Sequence, residues 1–398
     1  MLHFFTSAAV NYIPKVNLLI ESIRKFHPEA SIHLALADEM PENLSLEGSF
    51  TRIWSVADLG IENWRTWAFG HSIVELATAI KPFVLEKLLA QDGDRVIYMD
   101  PDTVLYSRLD DVLSTLDHAS IALTPHQTQP ESDWQAIWDN EICSLKHGTY
   151  NLGFVAVAAT TAGRAFAAWW RERCHRLCVD DVPNGLFTDQ RWIDLVPALF
   201  PEVAILRTPR LNVSTWNLSQ RRVTRDNGQL RVNGEPLGFY HYTGFDSGAH
   251  RIVAERYAVN SPVVFELIDW YAAAIKVAAS DPLSQHQWAF AHFDNGEPVS
   301  KLQRRVYRTR EDLQNTFPLP FADGGFNTWW RDVGSHEYAE TAGNRPVALL
   351  HGPKKSVWTA IGDIVLKPGL LKSYLQRIQH IRKQKGLRGL WSEIRSRL

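Results

Sequence analysis

The first half of the chain alternates between short apolar runs and segments with helical periodicity. Apolar runs at residues 2–5, 32–36 and 95–99 are each long enough for a buried strand. Between the first two runs, apolar residues recur at helical spacing, which predicts an amphipathic helix over about residues 14–27. Strands that alternate with helices form sheets with helices packed on their faces. We therefore expect an α/β fold with a mostly parallel sheet and flanking helices.

The same alternation continues, less regularly, towards the C-terminus. Because Pro82 suits the first turn of a helix, a helix is predicted to begin at Lys81-Pro82. A long helix at residues 262–279 opens a part that we expect to be a helical C-terminal extension. Further strand-like runs occur at residues 121–123, 154–158, 203–206 and 239–242.

Two aspartates, Asp100 and Asp102, follow directly on the apolar run 95–99. Side chains alternate along an extended segment, so we expect both carboxylates on one side. At the C-terminal end of a strand they offer hard oxygen ligands to a divalent cation that also holds a phosphate. The triplet alone is a weak motif, and a second copy, Asp92-Gly93-Asp94, lies in turn-like sequence where we interpret it as solvated.

Composition excludes several classes of protein. With 398 residues, 45% of them hydrophobic, the chain can bury a large core, and its net charge of -2 does not favour nucleic-acid binding. The three cysteines, Cys143, Cys174 and Cys178, show no paired spacing, which argues against a disulfide framework. The N-terminal residues lack a signal-peptide pattern, and no window of about 18 apolar residues occurs. We expect a cytoplasmic location.

The segment 359–398 is basic, with nine Lys or Arg residues against two acids, Asp363 and Glu393. Its apolar residues Leu371 and Ile378 lie on one helical stripe together with Tyr374. Such a helix can lie on an anionic membrane surface, or its stripe can pack on the rest of the protein. Both interpretations stay open, and binding of nucleic acid is the least favoured one.

A set of short segments occurs in a single order between residues 1 and 330. They are Asn11-Tyr12, Lys81-Pro82-Phe83, Tyr98-Met99-Asp100-Pro101-Asp102, Tyr150-Asn151-Leu152-Gly153-Phe154, Asp189-Gln190-Arg191-Trp192, Trp216-Asn217 and His241-Tyr242-Thr243-Gly244-Phe245-Asp246. In this order they resemble retaining glycosyltransferases of the GT-A fold. The chain is similar to glycosyltransferase family 8 and, more closely, to a group of bacterial glycosyltransferases.

The resemblance implies a metal site formed by Asp100, Asp102 and His241. In that family an aspartate pair and a later histidine hold a divalent cation, Mn²⁺ or Mg²⁺, on the diphosphate of the sugar donor. Manganese accepts mixed carboxylate and imidazole ligands together with phosphate oxygens. The alternative for His241 is a strand histidine that only hydrogen-bonds its neighbours.

The resemblance also implies how the nucleotide binds. Tyr12 matches a base-stacking residue, with Asn11, Thr6 and Ser7 near the uracil and the ribose. A stacked aromatic is worth about 1–3 kcal/mol per base. An aspartate that the family often has three residues before this tyrosine is replaced by Ala9, which puts the choice of base in doubt. A purely structural tyrosine at the entry of a helix is the alternative.

Four further residues match positions near the donor sugar. Lys81 is the basic one, and because the helix dipole disfavours a cation at a helix start, its position indicates an anionic partner. Exposure to solvent is the alternative for Lys81. Asn151, Asp189 and Gln190 are the catalytic candidates, where Asp189 orients the sugar, stabilises positive charge or attacks as a nucleophile. A helix N-cap is the alternative for Asp189.

One departure from family 8 follows the histidine motif. There the family continues with a lysine and a tryptophan that hold the diphosphate, whereas this chain has Phe245–Gly248. Either Arg251 substitutes locally, or the later segment His351–Trp358 folds back over the donor with Lys354 and Lys355 as phosphate contacts.

Fifteen tryptophans exceed ordinary usage and suit a sugar acceptor, because flat aromatic faces stack on pyranose rings. The candidates at loops or helix ends are Trp64, Trp67, Trp134, Trp138 and Trp216.

We therefore expect three parts, namely a GT-A nucleotide-sugar-binding and catalytic domain at 1–250, an extension at 251–358 and a basic amphipathic tail at 359–398. The predicted activity is metal-dependent transfer of a hexose from a nucleotide sugar, a UDP-hexose, to a hydroxyl of a glycan or glycolipid. The resemblance implies a retaining outcome and a place in bacterial surface-glycan assembly at the inner membrane face. The alternatives are a non-catalytic module that binds nucleotide sugar or glycan, and a nucleotidyltransferase. Residues Thr6–Val10 lack the glycines and the basic residue of a triphosphate-binding loop, which disfavours the latter.

Overall fold

The computed structural model describes residues 1–41, 49–90 and 94–338. Its strands are β1 Leu2–Ala8, β2 Ser31–Leu36, β3 Arg52–Ser55, β4 Arg95–Met99, β5 Thr103–Leu105, β6 Ile121–Pro125, β7 Tyr150–Ala158, β8 Val179–Asp181, β9 Leu186–Thr188, β10 Val203–Ile205, β11 Val223–Asp226, β12 Gln229–Val232, β13 Glu235–Pro236 and β14 Phe239–His241. The predicted strands all occur, but β1 extends three residues beyond its expected end and β7 begins four residues before its expected start; the other ends agree within two residues.

Its helices are α1 Ile13–Phe26, α2 Trp64–Phe69, α3 Ile73–Ala79, α4 Lys81–Leu88, α5 Asp110–Thr115, α6 Trp134–Ala136, α7 Ile142–His147, α8 Thr161–Leu177, α9 Gln190–Ile193, α10 Val196–Leu199, α11 Ala249–Tyr257, α12 Pro262–Ala278, α13 Lys301–Thr309, α14 Glu311–Thr316, α15 Phe326–Trp329 and α16 Ser335–Glu337. A short π-helical segment, Ile137–Glu141, joins α6 to α7, and 3₁₀ turns such as Val10–Tyr12 link other elements.

A seven-stranded sheet forms the centre of the fold, in the order β10-β6-β7-β4-β1-β2-β3. All neighbouring strands run parallel except that β7 is antiparallel to both β4 and β6. Most residues of β1, β2, β4, β6 and β7 are buried, which explains why these strands read as continuous apolar runs. The expected α/β class with a mostly parallel sheet and flanking helices is confirmed.

The reversed strand β7 determines what meets at the ligand-binding edge of the sheet. The parallel strands β1 and β4 end at that edge. Because β7 runs the other way, its first residues lie there too, and Met99 at the end of β4 pairs with Phe154. Three sequence-distant segments therefore converge, namely the loop after Ala8, the turn after Met99 and the start of β7.

Two small sheets complete this edge. β5 pairs antiparallel with β14, and β8 with β9. The first pair belongs to a separate hydrophobic cluster that includes Val104, Tyr240 and Tyr271. The rings of Tyr242 and Tyr271 stack with centroids 3.9 Å apart, which ties β14 to α12.

The C-terminal helices share a core with the sheet. Phe69 contacts the rings of Phe293 and Phe326, and all three lie in the cluster that contains Tyr98 of β4. The division at residue 250 therefore does not separate two hydrophobic cores, and the three-part division stays a prediction. Residues 339–358 of the expected extension and the whole basic tail lie outside the described residues.

None of the helices that the structure describes has the length and apolar character required to cross a bilayer.

Candidate functional site

A tight turn, not an extended segment, holds the two aspartates that follow β4. The backbone N–H of Thr103 donates to the carbonyl oxygen of Asp100 at 3.1 Å, and its Oγ1 donates to the same oxygen at 2.7 Å. Pro101 occupies the second position of this turn, where its fixed φ is favourable. Asp100 and Asp102 do present their carboxylates to one side, but the expected reason was wrong, because side-chain alternation applies only to extended backbone.

The short ladder between β5 and β14 brings His241 to this turn. Thr103 pairs with His241, and the N–H of Tyr242 donates to the carbonyl oxygen of Asp102 at 2.9 Å. The imidazole Nε2 of His241 lies 3.1 Å from Asp102 Oδ1 and 3.8 Å from Asp100 Oδ2. One ligand atom from each of the three residues lies within 4.8 Å of the others. This donor set, two carboxylates and one imidazole, fits a divalent cation such as Mn²⁺.

His241 and Asp102 shift each other's proton affinity. Burial alone would lower the pKa of His241, but the Asp102 carboxylate outweighs it and the pKa is raised. Burial alone would raise the pKa of Asp102, and its bond to His241 lowers it instead. The protonated form of the His241 imidazole is thus stabilised by the Asp102 carboxylate. Since a metal requires the neutral imidazole, cation binding at this site would release that proton.

Asn212 fixes the orientation of the His241 ring. Its side-chain Oδ1 lies 3.3 Å from His241 Nδ1, and its Nδ2 donates to Thr124 Oγ1 at 2.9 Å and to Asn151 Oδ1 at 3.0 Å. With Nδ1–H donated to Asn212, Nε2 is the nitrogen that faces the carboxylates, and its lone pair becomes available to a cation when its proton is released. Asn212 is fully buried at a φ of 54°, a left-handed conformation that asparagine tolerates. Sequence analysis missed it, although the neighbouring motif residue Asn217 was noted and donates to the Asn212 carbonyl at 3.0 Å.

Gly153 leaves room for the same ring. A Cβ atom built on Gly153 would lie 2.3 Å from His241 Cε1 and 2.7 Å from Asn151 Oδ1. Real Cβ atoms do not approach other atoms so closely. The glycine in the Tyr150–Phe154 motif is therefore required by the contact between β7 and His241.

Asn151 and Gln190, two of the predicted catalytic residues, are buried and bonded inside the protein. Asn151 Oδ1 accepts from Asn212 and from the N–H of Gly153 at 3.0 Å, and its Nδ2 lies 3.2 Å from His126 Nε2. Gln190 Oε1 accepts from the N–H of Leu152 at 2.9 Å. These bonds support the start of β7 and, through Asn212, the His241 ring. A direct contact of either amide with the donor sugar stays a prediction.

Lys81 joins the aspartate turn to Asp189. Its Nζ lies 3.3 Å from Asp100 Oδ1 and 3.2 Å from Asp189 Oδ2, and it donates to the Leu152 carbonyl at 3.2 Å. Lys81 is 3% exposed, so exposure to solvent is excluded and the anionic partner that the dipole argument required is a pair of carboxylates. Burial alone would lower the pKa of Lys81, but Asp100 and Asp189 raise it, so the ammonium stays charged.

Asp189 does not cap the following helix, because its side chain accepts no bond from the first turn of α9. Its Oδ1 accepts from Thr188 Oγ1 at 3.2 Å, while Oδ2 has the ion pair with Lys81 but no well-aligned hydrogen bond. Burial raises the pKa of Asp189, and Lys81 offsets part of this increase. Thr188 has a φ of 44°, which is rare for a β-branched residue and places strained backbone beside the carboxylate.

Replacing Lys81 with methionine is expected to lower the free energy of unfolding by about 3–5 kcal/mol, because it leaves buried Asp189 without its counter-ion. Urea unfolding at pH 7 measures the change. The double variant Lys81→Met/Asp189→Asn should recover part of the loss, and Lys276→Met on the exposed face of α12 is the matched control. A loss below 1 kcal/mol for Lys81→Met would contradict the buried pairing.

On the nucleotide side, the predicted residues differ in accessibility. Thr6 and Ser7 are buried, and Ser7 Oγ donates to the Ala77 carbonyl at 2.6 Å, so a side-chain contact of either residue with the nucleotide stays a prediction. Asn11 and Tyr12 are half-buried in the 3₁₀ turn after β1. Asp38, which sequence analysis did not assign to the site, holds this turn by accepting from the N–H of Val10 at 3.2 Å.

Family 8 has a lysine after its histidine motif, and in this chain a cation from elsewhere in the sequence lies near that segment. Arg251 pairs with Asp269 on the surface of α11 and α12 and does not substitute there. Instead Lys15 donates to both carboxylate oxygens of Asp246 at 2.7 Å, with its Nζ 4.6 Å from the centroid of the Tyr12 ring. Lys354 and Lys355 lie outside the described residues.

The predicted acceptor tryptophans fall into three groups. Trp216 lies beside the site, with its ring 5.3 Å from the His241 ring. Trp64 and Trp67 pack against the main core, whereas Trp134 and Trp138 are exposed on the α6–α7 segment.

Comparisons with known proteins give distant similarities. No protein-family model matches the chain. Two proteins of Bacillus subtilis (strain 168) are related to it, the uncharacterized proteins YfnF and YfnD. YfnF is 29% identical over 175 residues, which are 43% of this chain and 57% of YfnF. YfnD is 24% identical over 253 residues, 61% of this chain and 78% of YfnD. The chain thus matches little more than half the length of YfnF.

Among solved structures, several glycosyltransferases superpose on the chain at low identity. The galactosyltransferase LgtC, crystallised with donor and acceptor sugar analogs, is 15% identical with a TM-score of 0.40 over 70% of this chain and 97% of LgtC. The bifunctional glycosyltransferase WbbM is 16% identical with a TM-score of 0.38 over 71% of this chain and 50% of WbbM. Mouse xyloside xylosyltransferase 1 is 13% identical with a TM-score of 0.35 over 61% of this chain and 98% of its own. At this level of similarity no residue role is taken from them.

Proposed function

We propose that the chain is a glycosyltransferase of the GT-A type that moves a hexose from a UDP-sugar to a hydroxyl of a glycan or glycolipid acceptor. The observation that carries this proposal is the cluster of Asp100, Asp102 and His241, connected through Lys81 to buried Asp189. The ammonium group of Lys81 thereby joins two features. One is the proposed site for a cation bound to the diphosphate, and the other is a carboxylate suited to contact the sugar. The order of the sequence motifs supports the same reaction.

In the proposed reaction the bond between the anomeric carbon and the diphosphate oxygen breaks. The acceptor oxygen forms the new bond to that carbon, and its proton leaves to the diphosphate or to solvent. A divalent cation held by Asp100, Asp102 and His241 would offset the charge that develops on the departing diphosphate. Lys81 carries a fixed positive charge beside Asp100, and Asn212 keeps the His241 ring aligned.

Asp189 is proposed to orient the sugar and stabilise positive charge at the anomeric carbon. Its ion pair with Lys81 keeps the carboxylate in place, and Thr188 donates to its other oxygen. Asn151 and Gln190 are proposed as positioning residues for the start of β7. Tyr12 and Asn11 are the proposed nucleotide contacts, Tyr12 through its ring, and a retaining outcome is proposed from the motif resemblance.

A non-catalytic module that binds nucleotide sugar is the second candidate, since the same cluster could hold a diphosphate without turnover. A nucleotidyltransferase is disfavoured because the 3₁₀ turn Val10–Tyr12 after β1 offers no glycine-rich basic loop. Contact of the segment 359–398 with a membrane stays a separate prediction.

The test is nucleoside diphosphate release by the purified chain, followed by NMR with Mn²⁺ and a panel of nucleotide sugars. We expect slow release from one donor without an acceptor, dependent on the cation and abolished by a chelator. The anomer of the free sugar reports whether configuration is retained. Donor binding without any release would favour the binding module, and transfer of a nucleotidyl group would overturn the proposal.

A further inference from the structure

A cationic cavity of about 370 Å³ lies beside Asp189 and is not used by the proposed donor site. Its walls are the face of α13, the start of α3 and the strand β9. Four basic residues of α13 line it, Lys301, Arg304, Arg305 and Arg308. Their spacing of three, four and seven residues places them on one helical face. The volume is within the range of about 300–1,000 Å³ that is typical of small-molecule sites.

The carboxylates in this cavity do not neutralise the basic face. Glu75 and Asp180 are the two acids that line it. The Glu75 carboxylate accepts from the backbone N–H groups of Ser72 at 2.9 Å and of Asp180 at 3.1 Å. It is therefore held by backbone donors rather than by the guanidinium groups. Four cations against two acids leave the cavity with a net positive charge of two.

The arginine side chains donate to main-chain carbonyl oxygens rather than to carboxylates. Arg304 donates to the carbonyl of Phe69 at 3.1 Å, and Arg308 donates to the carbonyls of Cys178 and Arg176 at 3.0 Å. No salt bridge between these four cations and a carboxylate occurs among the described residues, although the charge of Glu75 offsets part of the decrease that burial causes in the pKa of Arg304 and Arg308. Arg304 is 4% exposed. Arg304 also donates to the Phe290 carbonyl, and Arg305 donates to the Asp180 carbonyl at 2.7 Å. Carbonyl oxygens satisfy donors but carry no full negative charge, so an anion in the cavity would be favoured by these cations.

The position of the cavity relates it to the proposed reaction centre. β9 contributes Phe187 and Thr188 to the wall, and the next residue is Asp189. The other wall includes the start of α3, a helix that ends at Ala79, two residues before Lys81. The elements that form these two walls thus end one or two residues before the two members of the Lys81–Asp189 ion pair. A ligand whose anionic group lies against α13 is therefore placed next to the elements that carry this pair.

We propose that this cavity binds the phosphate group of a phosphorylated sugar acceptor, an assignment that rests on the proposed function. A phosphate presents several acceptor oxygens to guanidinium and ammonium donors, which matches the α13 face. Lys301 and Arg305 are the contacts chosen for variation, because Lys301 is exposed and Arg305 is half-buried with one bond to the Asp180 carbonyl at 2.7 Å, whereas Arg304 and Arg308 each hold two carbonyl groups.

The experiment measures calorimetric binding of inorganic phosphate and of glucose 6-phosphate to the full chain. The variants are Lys301→Gln and Arg305→Gln, with the exposed Lys276→Gln and Arg222→Gln as matched controls. We expect tighter binding of glucose 6-phosphate than of phosphate, a loss of about 10-fold in each α13 variant, as for a charge-assisted hydrogen bond, and no loss in the controls. Circular dichroism checks that all four variants fold.

The other outcomes distinguish the proposal of a phosphate site from the proposal of transferase activity. Equal binding by the α13 variants and the wild type, or no binding of either ligand, would overturn the phosphate site. Equal affinity for both ligands would identify a site for free phosphate and overturn the acceptor assignment. Donor hydrolysis, measured separately, should be unchanged in Lys301→Gln and Arg305→Gln. If the wild type binds phosphate but hydrolyses no donor, the transferase proposal is overturned and the anion site remains supported.

Discussion

Replacing Asp102 with asparagine is expected to reduce metal-dependent nucleoside diphosphate release by at least about 100-fold, comparable to the loss of other electrostatic stabilisers of a transition state. The substitution keeps the shape of the side chain but removes the charge that lies 3.1 Å from His241 Nε2. Mn²⁺ affinity should fall together with the rate, because the cation loses one of its two carboxylate ligands. Turnover at saturating donor and a Mn²⁺ titration by electron paramagnetic resonance measure the two effects.

Asp226→Asn is the matched control, since Asp226 pairs with Arg231 on the surface and such pairs contribute little. It should change neither the rate nor the Mn²⁺ affinity. A variant at position 102 that releases nucleoside diphosphate as fast as the wild type would remove Asp102 from the site. Circular dichroism separates this result from misfolding.

Gly153→Ala is expected to disturb both the fold and the metal site, although the glycine has no side chain that takes part in the chemistry. The added Cβ would overlap His241 Cε1 at 2.3 Å, so the ring must move away from Asp102 or β7 must shift. Overpacking of this kind lowers the free energy of unfolding by about 1–3 kcal/mol. We expect that loss in urea unfolding, together with weakened Mn²⁺ binding.

A double-variant cycle with His241→Ala tests the cause. If the clash with the ring is responsible, Gly153→Ala should be far less destabilising when His241 is already alanine. Equal destabilisation in both backgrounds would instead place the cause in the second close contact, Asn151 Oδ1 at 2.7 Å.

Much of the sheet could be predicted from the sequence because its central strands are buried on both faces and read as apolar runs. The direction of β7 could not, since an apolar run looks the same in either direction. That reversal brings Asn151 and Gly153 to the ligand-binding edge. The turn at Asp100–Thr103 was also not foreseen, because the strand before it suggested that the extended backbone continued.

Site residues could be predicted where a residue type is unfavourable at its position in a helix or strand. Residues that only orient another side chain could not be predicted. Lys81 at a helix start indicated an anionic partner, and the structure supplies Asp100 and Asp189. Asn212 gave no such signal, because the sequence does not distinguish a buried asparagine from one in an exposed loop. Its role depends on a left-handed backbone and on contacts with residues far away in the chain.

The three proposed ligands are divided between two sheets. Asp100 follows the central sheet, whereas His241 lies on the small β5–β14 ladder, one face of which packs on the central sheet through Leu105 and Phe239. A cation bound by both would cross-link the two sheets. Hydrogen exchange in β14 should therefore slow when the cation is bound.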